Sequence, residues 1–89
     1  MEFEWHDGKN SLNIAKHGIS FHEAKHVFSD GKRVIILDKK HPTHEKRYFC
    51  IGKTKQGRIA TVRFTLRKGH IRIIGAGYWR EGRNIYEQR

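Results

Sequence analysis

Three arginines and a histidine crowd one stretch of the chain: Arg63, Arg67, His70 and Arg72 all lie in GRIATVRFTLRKGHIRIIGAGYWR, Gly57 to Arg80. A guanidinium is a permanently charged fork that fits the oxygens of a phosphate, and an imidazole can carry a proton near neutral pH. Cleavage of RNA by its own 2′-hydroxyl needs such groups. Cations hold the charge that grows on the phosphorus oxygens, a base takes the hydroxyl proton and an acid protonates the leaving oxygen, with no metal required. Candidate proton carriers are His70, His17 and Glu45, while Tyr48, Tyr78 and Trp79 offer rings for bases splayed from a single strand. His22 and His26 stand four apart on a predicted helix, which suits a metal. No third ligand accompanies them, so no metal or other cofactor is assigned.

The elements that must position these residues follow from turn chemistry and periodicity. Lys68-Gly69 reads as a two-residue turn, which sets Leu66 opposite Ile71, Thr65 opposite Arg72 and Phe64 opposite Ile73 in a β-hairpin. Strand alternation then sorts the side chains: Val62, Phe64, Leu66, Ile71 and Ile73 share an apolar face. Thr61, Arg63, Thr65, Arg67, His70 and Arg72 share the other, a platform for an anionic partner.

Upstream, Glu2 to His6 alternates as a short strand or extended lead-in, and Asp7 is the expected N-cap of a helix over 8–17 whose inward pair is Leu12 and Ala15. Gly18 stops that helix in a left-handed turn, with Lys16 and His17 complementing its C-terminus. Ser20-Phe21-His22-Glu23 is a capping box that opens a second helix over 21–28, burying Phe21, Ala24, Val27 and Phe28. Arg33 to Lys39, with its run Val34-Ile35-Ile36-Leu37, reads as a strand covered on part of both faces, and His41 to His44 as a loop. Glu45 to Lys53 is the next strand. A four-residue connection into the hairpin would put Phe49 and Ile51 on the apolar face and Lys46 and Tyr48 on the basic one; a bulge would reverse this. Tyr78 to Gln88 reads as a terminal helix, weakened by Gly82. The order of elements predicts an α+β domain: a small antiparallel sheet with two N-terminal helices packed on one face and a short C-terminal helix.

Composition narrows the class of partner. Residues 1–89 make a single domain, and no apolar run approaches the roughly 20 residues that cross a bilayer. The acidic opening MEFEWHDGK has no signal-peptide pattern, so a cytoplasmic location is expected. The lone Cys50 reads as a small packing residue. Residues 1–45 hold seven basic and seven acidic side chains, and residues 46–89 hold twelve and two, so the whole net charge of +10 sits in the second half. That one-sidedness points to nucleic acid or an acidic protein, and away from a membrane.

Five separated blocks carry a family resemblance: FEWHDGKN, LNIAKHGISFHEA, EKRYFCIGKTKQGR, RKGHIRIIGAGYW and the closing IYE. Together they resemble the BrnT family of type II toxins, which is similar in fold to the RelE-like ribonuclease toxins. The resemblance implies a metal-independent endoribonuclease that inhibits translation, and a BrnA-like antitoxin that neutralises it and represses the shared operon by binding DNA in the complex. By position it implies roles for Lys16 and His17, Glu45 and Arg47, Gly57 and Arg58, and Arg72. Many members read Ser-Ala-Arg where this chain has Gly75-Ala76-Gly77, so an arginine is absent at Gly77, with Arg80 nearby as a substitute. The combined expectation is that His17, Glu45, Arg63, His70 and Arg72 are catalytic, and that Lys16, Arg47, Tyr48, Arg58, Arg67, Trp79 and Arg80 bind RNA. The rival readings are a non-catalytic nucleic-acid-binding module, which binds phosphate but needs no proton carrier, and a toxin-derived co-repressor.

Overall fold

A computed structural model describes residues 2–40 and 44–89. Of the loop expected at His41 to His44, residues 41–43 lie outside the described residues. In chain order the elements are β1 (Phe3–Glu4), α1 (Asp7–His17), α2 (Phe21–Ala24) running into a 3-10 turn (Lys25–Ser29), β2 (Val34–Leu37), β3 (Arg47–Lys53), β4 (Ile59–Arg67), β5 (His70–Gly77) and α3 (Arg80–Gln88). The sheet order is β1-β5-β4-β3-β2, antiparallel except that β1 lies parallel to β5. The α+β class holds, and a parallel edge strand makes the sheet mixed. No helix among the described residues is long and apolar enough to cross a membrane.

The hairpin takes the expected register, with Leu66 opposite Ile71, Thr65 opposite Arg72 and Phe64 opposite Ile73. Lys68 and Gly69 both have positive φ, 50° and 81°, the backbone of a turn whose twist matches the strands. Beyond Ile73 the ladder shifts: Arg63 faces Gly75, leaving Ile74 as a bulge. Cys50, Ala60, Val62, Phe64, Ile71, Ile73 and Ala76 then form the core with Ile19, Phe21, Ala24 and Val27 from the helical side. Burial pushes the Cys50 thiol up to about 12, which leaves it a packing residue rather than a nucleophile.

Four local expectations change. His6, not Asp7, caps α1, its Nδ1 accepting from Lys9 N at 3.3 Å. Leu12 is exposed, and α1 docks through a polar side chain instead: Asn13 is buried and donates to Ile19 O at 2.9 Å and Ala76 O at 3.0 Å, while its Oδ1 accepts from Ala76 N at 3.1 Å. The β1 pairing covers only Ile71 and Arg72, so this carboxamide takes the place of a strand further along the edge of β5. The connection from β3 to β4 spans 54–58, so Lys53 pairs with Ile59, Phe49 faces Arg63 and Ile51 faces Thr61. That one-residue change in loop length puts Phe49 and Ile51 on the second face and Tyr48 in the core. Finally, β2 is an edge strand covered on one face, with Ile35 and Leu37 exposed.

The second face is divided by α3. Gly82 sits so close to β4 that a Cβ there would overlap Thr61 Oγ1, which is why a helix-weakening residue occupies this place. Tyr86 is buried below it and donates its hydroxyl to Asp30, whose carboxylate also accepts from Lys53 N at 2.9 Å. Half of the predicted platform is therefore a helix seat.

Replacing Asn13 by leucine keeps the branched shape but strands three buried backbone partners. We expect a loss of about 2–4 kcal/mol in urea or thermal unfolding, with no change in the size of the cooperative unit.

Candidate functional site

The structure distributes the expected site residues over three places. At the hairpin end of the second face, carboxylates meet the cations. Arg67 forms a two-pronged pair with Glu45, Nε to Oε2 at 2.6 Å and Nη2 to Oε1 at 3.2 Å. Arg72 donates to Glu4 Oε2 at 2.9 Å, and His70 Nδ1 lies 3.1 Å from the other oxygen, Glu4 Oε1. The bond from Arg72, then that with His70, holds the Glu4 carboxyl below its ordinary range; Arg67 does the same for Glu45, with Arg47 and Arg72 adding to the field. Arg47 completes this cluster.

Arg63 lies midway along β4, where it meets Asp38. Its Nε and Nη2 are both 3.2 Å from Asp38 Oδ2, and the Asp38 side chain is 2% exposed. The three arginines of the hairpin strands, Arg63, Arg67 and Arg72, are thus each paired with a carboxylate from another part of the chain. Sequence reasoning missed Glu4 and Asp38. Glu4 was legible in outline, since Phe3 and Trp5 point to the core and the alternation leaves Glu2 and Glu4 on the opposite face. Asp38 had no local signal, because its role depends on the register that brings β2 beside β3.

The third place is a cleft of about 490 Å³ at the far end of β5, lined by Gly57, Arg58, Ile59, Tyr78, Trp79, Arg80 and Arg83. It holds three arginines, no carboxylate lines it, and no carboxylate of the described residues pairs with them. Gly57, at φ 82°, turns the chain so that Arg58 projects here, and the guanidinium lies 3.6 Å from the centre of the Tyr78 ring. His17 belongs to the same neighbourhood. It ends α1, which Asn13 pins to Ala76, and its ring meets that of Trp79 edge-on at 5.2 Å. Of the expected residues, His17, Arg58, Trp79 and Arg80 therefore converge, while Glu45, Arg47, Arg67, His70 and Arg72 gather at the other end. Tyr48 is partly buried and stacked on Phe64 at the edge of the core, 5.5 Å between centres, away from the other rings expected to meet a base. Lys16 is exposed on α1. Sequence reasoning also missed Arg83, which reaches the cleft from the first turns of α3.

Trp79 also explains Gly77. A Cβ on Gly77 would stand 2.5 to 2.7 Å from three atoms of the indole, so the ring occupies the space that an arginine would need. His22 and His26 lie side by side, 5.9 Å between ring centres, but among the described residues no group of three metal-ligating side chains forms.

Comparison with known proteins agrees with this architecture. The sequence model of a family described as "Ribonuclease toxin, BrnT, of type II toxin-antitoxin system" matches residues 5–82. Among solved structures, the Brucella abortus ribonuclease toxin BrnT superposes with a TM-score of 0.63 at 24% identity, over 89% of this chain and 96% of that one. No curated protein sequence gives a match.

Two outcomes test the geometry. Because Glu4 and Glu45 are depressed in the folded state, their contribution to stability is present above the unfolded value near 4.5 and is lost as pH falls through the folded values. The melting temperature should therefore drop below about pH 4.5 in the parent, and the Glu4→Gln, Glu45→Gln double variant should show a flatter acid limb from a lower starting point. Gly77→Ala should push the indole of Trp79 outward, read as a red shift of tryptophan emission with most of the stability retained.

Proposed function

The chain belongs to the BrnT family, the ribonuclease toxins of type II toxin-antitoxin systems, and from that premise we propose that it cuts RNA without a metal at the arginine cleft beside Trp79, and so arrests translation. The observation that carries the reading is charge balance. A guanidinium already held by a carboxylate must give up that partner to take a phosphate, whereas Arg58, Arg80 and Arg83 face a cleft without one.

In this scheme the scissile phosphate lies against Arg58 and Arg80, with Arg83 widening the basic track. As the 2′-oxygen attacks phosphorus, charge builds on the non-bridging oxygens and the guanidiniums meet it already in place. His17, whose ring meets the cleft residue Trp79 edge-on, serves as proton carrier, taking the proton of the 2′-hydroxyl and giving one to the departing 5′-oxygen. Tyr78 and Trp79 supply the faces against which neighbouring bases stack. Tyr78 has a second task, since its ring braces the Arg58 guanidinium from below. The Glu45, His70 and Arg72 cluster ties β1 and the start of β3 to the hairpin, and in this reading it acts on structure.

The antitoxin that the family pairs with such a toxin would be BrnA-like and would neutralise by covering the cleft, its acidic groups supplying the counter-charge that the cleft lacks.

The test is incubation of purified, partner-free protein with end-labelled RNA in the presence of a chelator. Fragments ending in 2′,3′-cyclic phosphate are expected, with Arg58→Ala and His17→Ala each lowering the rate by about 10²-fold and Arg67→Ala altering it little. RNA that is bound but left intact, with affinity falling steeply in salt, would replace catalysis by simple phosphate binding. Cleavage that stops with chelator would remove metal independence.

A further inference from the structure

The two walls of the arginine cleft belong to different parts of the chain. Arg58 comes from the 54–58 connection between β3 and β4, and Arg80 and Arg83 come from α3. Guanidiniums that face one space repel one another, so the gap between the walls has to be held from outside it. The Asp30 carboxylate, which does not line the cleft, is tied to both walls. Its Oδ2 accepts from Lys53 N at 2.9 Å and from the Tyr86 hydroxyl, while Oδ1 accepts from Lys32 N at 2.9 Å. Lys53 ends β3 and pairs with Ile59, and the next residue, Thr54, donates its N–H to Arg58 O at 2.8 Å. The bond from Lys53 therefore grips the base of the loop that carries Arg58. The bond from Tyr86 grips the helix that carries Arg80 and Arg83.

Helix α3 needs such a hold. It is nine residues long, too short to be stable by itself, and its N-cap, Trp79, makes no side-chain cap bond. Gly82 and Tyr86 stand four apart and share the face that meets the sheet, but Gly82 has no side chain to stop the helix turning on β4. On its other side α3 borders an apolar groove lined by Ile36, Phe49 and Ile85, and apolar contact is non-directional. Direction comes from Tyr86, whose ring is buried and whose hydroxyl reaches Asp30. Asp30 is placed in turn by a glycine of β3. A Cβ on Gly52 would stand 2.9 Å from Val27 O and 3.3 Å from Asp30 Cβ, so the bare backbone there lets the 3-10 turn close over β3 and brings Asp30 to Lys53. Partial burial pushes the Asp30 carboxyl up, but the hydrogen bonds from Tyr86, Lys32 and Lys53 outweigh it and hold the group below its ordinary range. The link is thus charge-assisted at neutral pH, stronger than a bond between neutral groups.

We propose that Asp30 and Tyr86 are positioning residues for RNA cleavage: their bond fixes α3 against the base of the loop between β3 and β4, and so sets the spacing of Arg80 and Arg83 from Arg58. The proposal rests on the ribonuclease reading above. Neither residue touches RNA; each acts through the arginines. When the link is cut the guanidiniums remain present and charged, so RNA still arrives, but they no longer meet the charge on the phosphate already in place. The loss falls on kcat rather than on KM.

The experiment compares the parent protein with Tyr86→Phe, which keeps the buried ring and deletes only the hydroxyl, and with Asp30→Asn, which keeps the shape and deletes the charge. Rates are measured on end-labelled RNA at a temperature where melting curves show every variant folded. We expect kcat to fall about tenfold in each variant with KM changed by less than about twofold, and the double variant to be no slower than the slower single, since both remove one link. In an Arg83→Ala background, Tyr86→Phe should lower kcat by about threefold or less, because part of what it positions is already gone. A residue that only stabilised the fold would lower the melting temperature and leave kcat of the folded protein unchanged. Folded variants that cut RNA at the parent rate would therefore overturn the proposal, as would a Tyr86→Phe loss of the same size with and without Arg83, or a loss confined to KM. Parent protein that does not cut RNA would instead remove the ribonuclease reading, and the positioning role with it.

Discussion

The Asn13 carboxamide is the contact on which the rest of this molecule depends. It presents one donor and one acceptor to the backbone of Ala76, in the way a neighbouring strand would, and turns its second donor to Ile19 O. Three consequences follow from that one side chain. The open edge of β5 is sealed where β1 has ended, α1 is held although Leu12 and Ile14 remain exposed, and the turn after Gly18 is drawn in so that Ile19 and Phe21 enter the core. The last residue of the same helix, His17, is thereby brought to Trp79. Packing and chemistry here share one anchor.

The second organising fact is how charge is spread. A chain with this excess of cations must keep them apart or pair them, and the fold does both. At the hairpin end and along β4, carboxylates from β1, from the residue after β2 and from the residues before β3 come to the arginines, which bind strands distant in sequence to one another. At the far end of β5 no such carboxylate arrives among the described residues, and the arginines face a cleft. The half-exposed pairs at the hairpin end add little stability each. Among the described residues, the arginines lining the cleft keep their charge without such a partner.

Much of this was legible in the sequence. The Lys68-Gly69 turn determined the hairpin register because a two-residue loop with positive φ at both positions admits one pairing. Ser20 and Gly18 marked helix ends through their own local chemistry, the first accepting from Glu23 N at 3.0 Å and the second adopting φ 69°. Gly77, by contrast, looked like the loss of an arginine, and only the placement of the indole shows it as room made for Trp79.

What the sequence determined by itself was thus whatever depends on a few neighbouring residues: element order, the Ser20 cap and the Gly18 stop, the hairpin and the concentration of cations in the second half. What the tertiary structure decided was whatever depends on two distant segments at once. Loop length between β3 and β4 set the face on which Phe49 and Ile51 lie, the parallel docking of β1 brought Glu4 to Arg72, and the seat of α3 on Thr61 divided the platform into a cleft and a groove. The physical reason is the same in each case. Strand alternation fixes relative sides within a segment, but a side chain's partners are chosen by register between segments, and a shift of one residue exchanges them all.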